Sequence, residues 1–374
     1  MPKILENVRV LDLTHFFAGP FTTMLLSDMG ADVIKIEPLW GERIRAYPPL
    51  IKGVSPYFAY LNRNKRGMAL NLKSEKGVQI LKDLVRFSDV VVENFSPGTM
   101  NRMGIGYETL KAINPGIILA SISGFGQTGP YSPRPSFDII AQAMSGIMTL
   151  TGETVGKPVQ VEDYLGDSVA GLYGAIGIVA ALYYRKLSGR GQWVDVSQLD
   201  SMVSILPSAV FYMHTGDTVP KIRKKFFTGI YGMFEAKDGY VVMGAPVGAI
   251  MDRLAEVVGT EKLDYPAVTD WVRTRTVQEV VDKFVENSIP VAPVLAMDKV
   301  VTNPQVLARD MIVEVEHPQA GRIKVLGFPI KFSETPGKVE KPPALLGQHN
   351  EEILSTLLGY TKEQIAELRK EKVI

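Results

Sequence analysis

The sequence of 374 residues contains no cysteine. Disulfides, thiolate nucleophiles and Cys-ligated zinc are excluded together. Histidine is scarce. His15, His214, His317 and His349 are scattered, none pairs with another at helical spacing, and no metal site is expected. An excess of either charge is also missing, with 41 Lys and Arg against 40 Asp and Glu and a formal net charge of +1. Such a chain has no long-range field to hold a nucleic acid or an anionic membrane, so an anionic ligand must be met by local cations. The N-terminus has no apolar h-region. The longest apolar stretch, Ser168 to Tyr184, lies at the lower limit of spanning length with Asp167 and Arg185 at its ends. Rich in Gly and Ala, that stretch reads as a buried helix, and a cytoplasmic protein is expected. No internal repeat, no low-complexity tract and no Gly-x-Ser-x-Gly elbow is found.

What is present is a folded-protein composition, 46% hydrophobic and 22% charged. The length exceeds what one core normally supports, which predicts two domains. The first third alternates short apolar runs (Val8 to Leu13, Ala31 to Ile36, Val90 to Val92, Ile117 to Ile122) with helical patterns (Phe21 to Met29, Glu75 to Phe87, Tyr107 to Ile113). This is the signature of βαβ units, and near-continuous apolar strands imply a parallel sheet covered on both faces. The fold class is therefore α/β. A long helix is predicted over Gly166 to Leu187, with Gly171, Gly174 and Gly177 leaving one flat face. Trp193 to Val196 reads as a strand, Gln198 to Met213 as one helix, and Val219 to Thr228 as a linker. Beyond it, strands are predicted at Tyr240 to Gly244, Val291 to Val294, Ile312 to Val315 and Ile323 to Leu326.

Gly124-Phe125-Gly126-Gln127-Thr128-Gly129 matches a dinucleotide fingerprint after a strand. Pro130, Pro133 and Pro135 follow at once and forbid the helix that would hold a pyrophosphate. A Rossmann dehydrogenase is disfavoured, and a glycine loop lining a cleft is the better reading. Asp167, in Leu165-Gly166-Asp167-Ser168, directly precedes the long helix. The plain reading is an N-cap. The functional one uses the same place: the helix dipole keeps the carboxylate ionised, and an ionised carboxylate attacks a carbonyl.

Several blocks taken together carry a resemblance. They are Val10-Leu11-Asp12-Leu13-Thr14 with Ala18-Gly19-Pro20, then Gly30 to Pro38, Asn62-Arg63-Asn64-Lys65-Arg66, Val92 to Gly98, Arg102-Met103-Gly104, Gly124 to Gln127, Gly166-Asp167 and Gly189-Arg190-Gly191-Gln192. In that order, over roughly the first 200 residues, they resemble the family III coenzyme A transferases, such as formyl-CoA transferase, whose superfamily also holds the α-methylacyl-CoA racemases. The resemblance implies a Rossmann-like large domain over residues 1–215, a smaller α+β domain with its linker over 216–328, and a segment 329–374 returning to the large domain. It implies an interlocked homodimer. It implies Asp167 as nucleophile, forming a mixed anhydride and then a thioester, and coenzyme A binding around Phe16, Phe17, Leu70, Asn94, Phe95 and Arg102. Lys65 and Arg66 are expected to add local positive charge, and Gly124, Gly126 or Gly244 to bring backbone amides to a developing oxyanion. No tightly bound cofactor is expected; the acyl-CoA is a substrate, and its partner is a small carboxylic acid.

A racemase needs a base on each face of the α-carbon. Where the racemase pattern has His, this chain has Phe137, and no acid stands at Gly244-Ala245-Pro246-Val247. Transfer through Asp167 is therefore favoured over racemisation, and over a non-catalytic acyl-CoA binding protein.

Overall fold

The computed structural model describes residues 2–374. It divides into two units, Met1–Leu206 with Arg309–Ile374, and Pro207–Ala308.

The larger unit is built on six parallel strands: β1 (Arg9–Asp12), β2 (Asp32–Glu37), β3 (Arg66–Ala69), β4 (Val90–Glu93), β5 (Ile118–Ser123) and β6 (Trp193–Ser197), in the order β3-β2-β1-β4-β5-β6. Successive side chains of β1 feed two separate cores. Leu11 packs with Ile34, Met68 and Val91 on one face, and Val10 with Val33, Val90 and Ile118 on the other. Both faces are dry, which is why these strands read as apolar runs. The helices on them are α1 (Ala18–Asp28), α2 (Pro56–Asn62), α3 (Glu75–Val85), α4 (Thr99–Arg102), α5 (Tyr107–Ile113), α6 (Asp138–Ser145), α7 (Ile147–Thr151), α8 (Leu165–Ser188) and α9 (Gln198–Ser204).

The glycines of α8 mark its contacts. A Cβ on Gly171 would meet Phe21 at 2.7 Å, and one on Gly174 would meet Thr22 at 2.6 Å, so bare backbone is what lets α8 lie against α1. The Thr22 hydroxyl donates to the Gly171 carbonyl at 3.0 Å across that contact. By length and composition α8 is apolar enough to cross a membrane, but its Gly and Ala face, including Gly171, Gly174, Ala175 and Ala181, is buried in the unit.

The last residues close one edge of the sheet. The Asn350 side chain accepts from the Ala69 amide at 2.8 Å and donates to its carbonyl at 3.1 Å. His349 Nδ1 accepts from the Gly67 amide at 3.0 Å, and the Asn71 amide donates to Val373 O at 2.8 Å. β3 thus has its open side satisfied by the returning chain.

The second unit carries the antiparallel strands β7 (Ile230–Ala236), β8 (Gly239–Ala245) and β9 (Val291–Pro293), with Phe234, Val241 and Met243 packed against Leu254, Val268 and Phe284 of its helices. Three sequence expectations are corrected. Gln198 to Met213 is two helices, Gln198–Ser204 and Pro207–Thr215, because Pro207 has no amide with which to continue the first. Val219–Phe226 is a helix rather than a linker, its Pro220 lying in the first turn where no amide is needed. The units part at 206/207 and 308/309 rather than at 215/216 and 328/329. The hairpin β10 (Ile312–His317) and β11 (Gly321–Leu326) belongs with the larger unit because Val315, Ile323 and Val325 pack on Val54 and Ala59.

Candidate active site

The strand order reverses between β1 and β4, and in open parallel sheets ligands sit beyond the strand C-termini at such a switch point. The loop after β1 holds His15, Phe16 and Phe17; the loop after β4 holds Asn94 and Phe95. They are tied to one another. Asn94 Nδ2 donates to His15 O at 2.7 Å, and its Oδ1 accepts from His15 N at 2.8 Å. Phe16, held at φ +63°, is 40% exposed. A left-handed bulky residue is a strained one, kept by its surroundings.

These loops open on a cavity of about 1210 Å³. Leu13, Ile36, Leu70, Leu72 and Val78 give it an apolar wall, Phe16, Trp40, Phe95 and Phe137 an aromatic one, and Arg43, Lys73, Lys82 and Arg102 a cationic one. Among the described residues none of these four cations has a carboxylate at ion-pair distance. Arg102 bonds the Thr99 hydroxyl at 2.7 Å, and Lys73 lies 5.8 Å from the ring centre of Trp40. Unpaired cations beside apolar surface suit a ligand with phosphates at one end and a greasy body. The neighbouring imidazole adds no charge: His15 is pushed down to about 4 by burial and by Lys35.

Of the expected binding residues, Phe16, Leu70, Phe95 and Arg102 line this cavity. Phe17 is buried beneath it, stacked on Tyr164 with ring centroids 5.0 Å apart. Asn94 spends its amide on His15 and so holds the Phe16 loop. Lys65 and Arg66 lie elsewhere. Lys65 Nζ is enclosed, bonded to Asp12 Oδ2 at 2.9 Å, Asn62 Oδ1 at 3.0 Å and Pro20 O at 3.1 Å. Burial pushes it down to about 8 against the pull of Asp12. Burial opposes the Asp12 anion too, but Lys65 and Lys35 outweigh it and hold that carboxyl below the usual range. Arg66 pairs with Asp32 at 2.6 Å and with Glu352 at 3.0 Å. Neither is free for a phosphate.

Asp167 is not the N-cap of α8; that position is Tyr164, and Asp167 lies in the first helical turn, partly exposed. Asp138, in the first turn of α6, accepts at Oδ1 from the amides of Gly166 at 2.6 Å and Asp167 at 3.1 Å. Gln198, at the start of α9, donates through Nε2 to Asp167 Oδ1 and accepts from the Ser136 hydroxyl at 3.2 Å. The helix dipole, expected to keep Asp167 ionised, is opposed here. Burial and the neighbouring Asp138 push it up to about 7, with only Gln198 opposing. A carboxylate half-ionised near neutrality is both available and basic, which suits a nucleophile.

The glycine loop lies at the end of β5, outside the cavity lining. Gly124 O accepts from Leu199 N at 3.1 Å, Gly126 has φ +81°, and Gln127 N donates to Asp195 at 2.9 Å. No helix starts until Asp138, as the prolines require. The Gly244 amide, a sequence candidate for the oxyanion, donates to Pro290 O at 3.1 Å. Sequence reasoning missed Asp138 and Gln198. Asp138 stood beside Phe137 in the segment read for a histidine, and its charge next to Asp167 had no one-dimensional signal.

The sequence model described as CoA-transferase family III matches residues 5–350. The chain is 37% identical to a human succinyl-CoA:glutarate CoA-transferase over 395 residues, covering 100% of this chain and 90% of the relative. It is 36% identical to a formyl-CoA:oxalate CoA-transferase of Streptomyces coelicolor, covering 100% and 99%. A succinyl-CoA:mesaconate CoA-transferase of Haloarcula hispanica is 37% identical, over 94% and 95%. Among solved structures, a CAIB/BAIF family protein from Brucella suis superposes with a TM-score of 0.84 at 30% identity, over 96% of this chain and 100% of that one.

Proposed function

Because the chain belongs to CoA-transferase family III, we propose that Asp167 is the nucleophile through which it moves coenzyme A from an acyl-CoA donor to a small carboxylic acid. The observation that carries this is one carboxylate, partly exposed and pushed up to about 7 beside Asp138. It lies one residue beyond a Gly whose neighbour in space, Asp138, directly follows the cavity-wall residue Phe137.

An Asp167 oxygen attacks the thioester carbon; the C–S bond breaks and the thiolate leaves with the electron pair. The thiolate then attacks the aspartyl carbonyl of the mixed anhydride, releasing the donor acid as its carboxylate and leaving Asp167 as a thioester. The acceptor carboxylate repeats both steps in reverse, and Asp167 is regenerated. No net proton is consumed. Arg102 and the other cavity cations hold the phosphates, and the apolar wall takes the pantetheine arm. The relatives named above act on formyl, succinyl, oxalate, glutarate and mesaconate groups, which supports a short, mostly dicarboxylic acceptor here. No tightly bound cofactor enters the scheme.

The outer face of α8 supports a homodimer. Leu172, Ile176, Val179, Tyr183 and Leu187 form an exposed stripe at helical spacing, the kind of surface a second copy covers. The test of the reading is isotope exchange between a labelled free acid and its CoA thioester, followed on wild type and Asp167→Ala. Exchange by the variant at the wild-type rate removes Asp167 from the mechanism.

A further inference from the structure

We infer that Asp138 is a positioning residue whose charge works against the free Asp167 anion and in favour of its acylated form; this rests on the reading of Asp167 as nucleophile.

The prolines after the glycine loop delay the next helix until α6, and this places Asp138 in its first turn. There the carboxylate does three things at once. Its Oδ1 takes the amides of Gly166 and Asp167, at 2.6 and 3.1 Å. Its Oδ2 accepts from Gln142 Nε2 at 2.7 Å. Gln142, buried one turn along α6, also donates to Val161 O and Asp163 O and accepts from Val161 N at 3.0 Å. Asp138 and Gln142 together grip the chain from Val161 to Asp167. The amide of the nucleophile is fixed, so its side chain leaves from a fixed point. This also accounts for the Gly in the Gly-Asp pair. A Cβ on Gly166 would lie 3.2 Å from both Asp138 Oδ1 and Ala141 Cβ and would press on α6.

The electrostatic consequence follows from the same bonds. The first free amides of α8 and its positive end are occupied by Asp138. Asp167 therefore has a like charge beside it where a helix start would otherwise supply a stabilising field. Gln198 from α9 bonds it, and Tyr57 from α2 lies close enough to feel its charge. Burial and hydrogen bonding to Tyr164 push the Tyr57 phenol well up, so it stays neutral. Among the described residues no cation pairs with Asp167 to offset Asp138. Acylation removes the charge on Asp167 and with it the repulsion. The free carboxylate is thus the less stable partner, and bond formation to the thioester carbon is correspondingly easier.

The test is the pH dependence of kcat/KM for Asp138→Asn, with Asp138→Glu as the charge-retaining control. The wild-type acid limb is expected near pH 7. In Asp138→Asn the oxygen that accepts both amides remains but the charge is gone, so the limb moves down by about half a unit or more and the plateau falls at least about fivefold. Asp138→Glu slows the enzyme without moving the limb. If Asp138→Asn does not fold, Asp138→Ser serves as the neutral variant. A limb that stays in place when the charge is removed overturns the inference. Acyl-CoA followed by borohydride, with peptide mass mapping, separates this from failure of the nucleophile reading. Reduction at Asp167 with an unmoved limb sinks only the role of Asp138, whereas an unmodified Asp167 in wild type sinks both.

Discussion

Phe137 meets Phe16 edge to face, with ring centroids 5.8 Å apart at an angle of 88°. The residue that would carry a proton in a racemase is here part of an aromatic wall. Asp167 is the one acid-base group of the racemase set that this chain keeps, so transfer without racemisation is expected. A 2-methylacyl-CoA of one configuration, incubated with enzyme in heavy water, keeps its configuration and its hydrogen, while a free acid added to the mixture acquires coenzyme A. Deuterium at the α-carbon that depends on Asp167 would make this a racemase.

Asp167→Ala abolishes transfer and leaves acyl-CoA binding largely intact, because the apolar, aromatic and cationic residues that line the cavity are all unchanged. Turnover above about one hundredth of wild type contradicts a nucleophilic role. Calorimetric titration with coenzyme A measures the binding half of the expectation.

Arg102→Ala raises KM for acyl-CoA roughly tenfold, the loss of one charge-assisted contact worth about 1.4 kcal/mol, with kcat changed little. A remote phosphate contact acts alike on ground and transition states. Lys82→Ala behaves in the same way. Unchanged KM with reduced kcat for either variant removes that side chain from the phosphate site.

Lys65→Met behaves differently. It leaves Asp12 buried without its ammonium partner, and breaking such a pair costs about 3–5 kcal/mol. Urea unfolding is expected to show this loss, while the KM of the folded fraction stays within about twofold of wild type. A large rise in KM without loss of stability would return Lys65 to the ligand site.

Asp167→Asn stabilises the protein at high pH. The folded-state value, about 7, stands above the ordinary 3.8, so between the two the folded chain binds the extra proton and stability falls as pH rises. Above pH 7 the whole penalty is present, and the variant gains roughly 1–2 kcal/mol after discounting for partial exposure. The gain fades as pH drops toward 4. Equal stability of the two proteins at pH 8 contradicts the shift.

The parallel sheet was legible because burial on both faces writes itself as apolar runs, and β1, β2, β4, β5 and β6 were all located within about two residues. β3 was not, since Arg66-Gly67-Met68-Ala69 is short and carries a charge at its head, with β2 as its one neighbouring strand and its other edge met only by the far-off His349 and Asn350. The cavity residues Phe16, Leu70, Phe95 and Arg102 were implied by the family resemblance, not by composition or periodicity. Lys65 and Arg66 were misplaced because composition shows a cation but not its partner: Asp12 and Asp32 lie 53 and 34 residues off in sequence. Asp138 beside Asp167 is the same difficulty with the sign reversed, two carboxylates 29 residues apart whose meeting only the packing of α6 on α8 creates.

The seal on β3 fixes an order of events during synthesis. The strand is made within the first seventy residues, but His349 and Asn350, which bond its outer edge, leave the ribosome only after the whole of Pro207–Ala308 has been translated. Until then the nascent sheet carries a bare row of amides and carbonyls. A fragment ending at Leu206 keeps that row unmet, and is expected to pair edge to edge with its own kind.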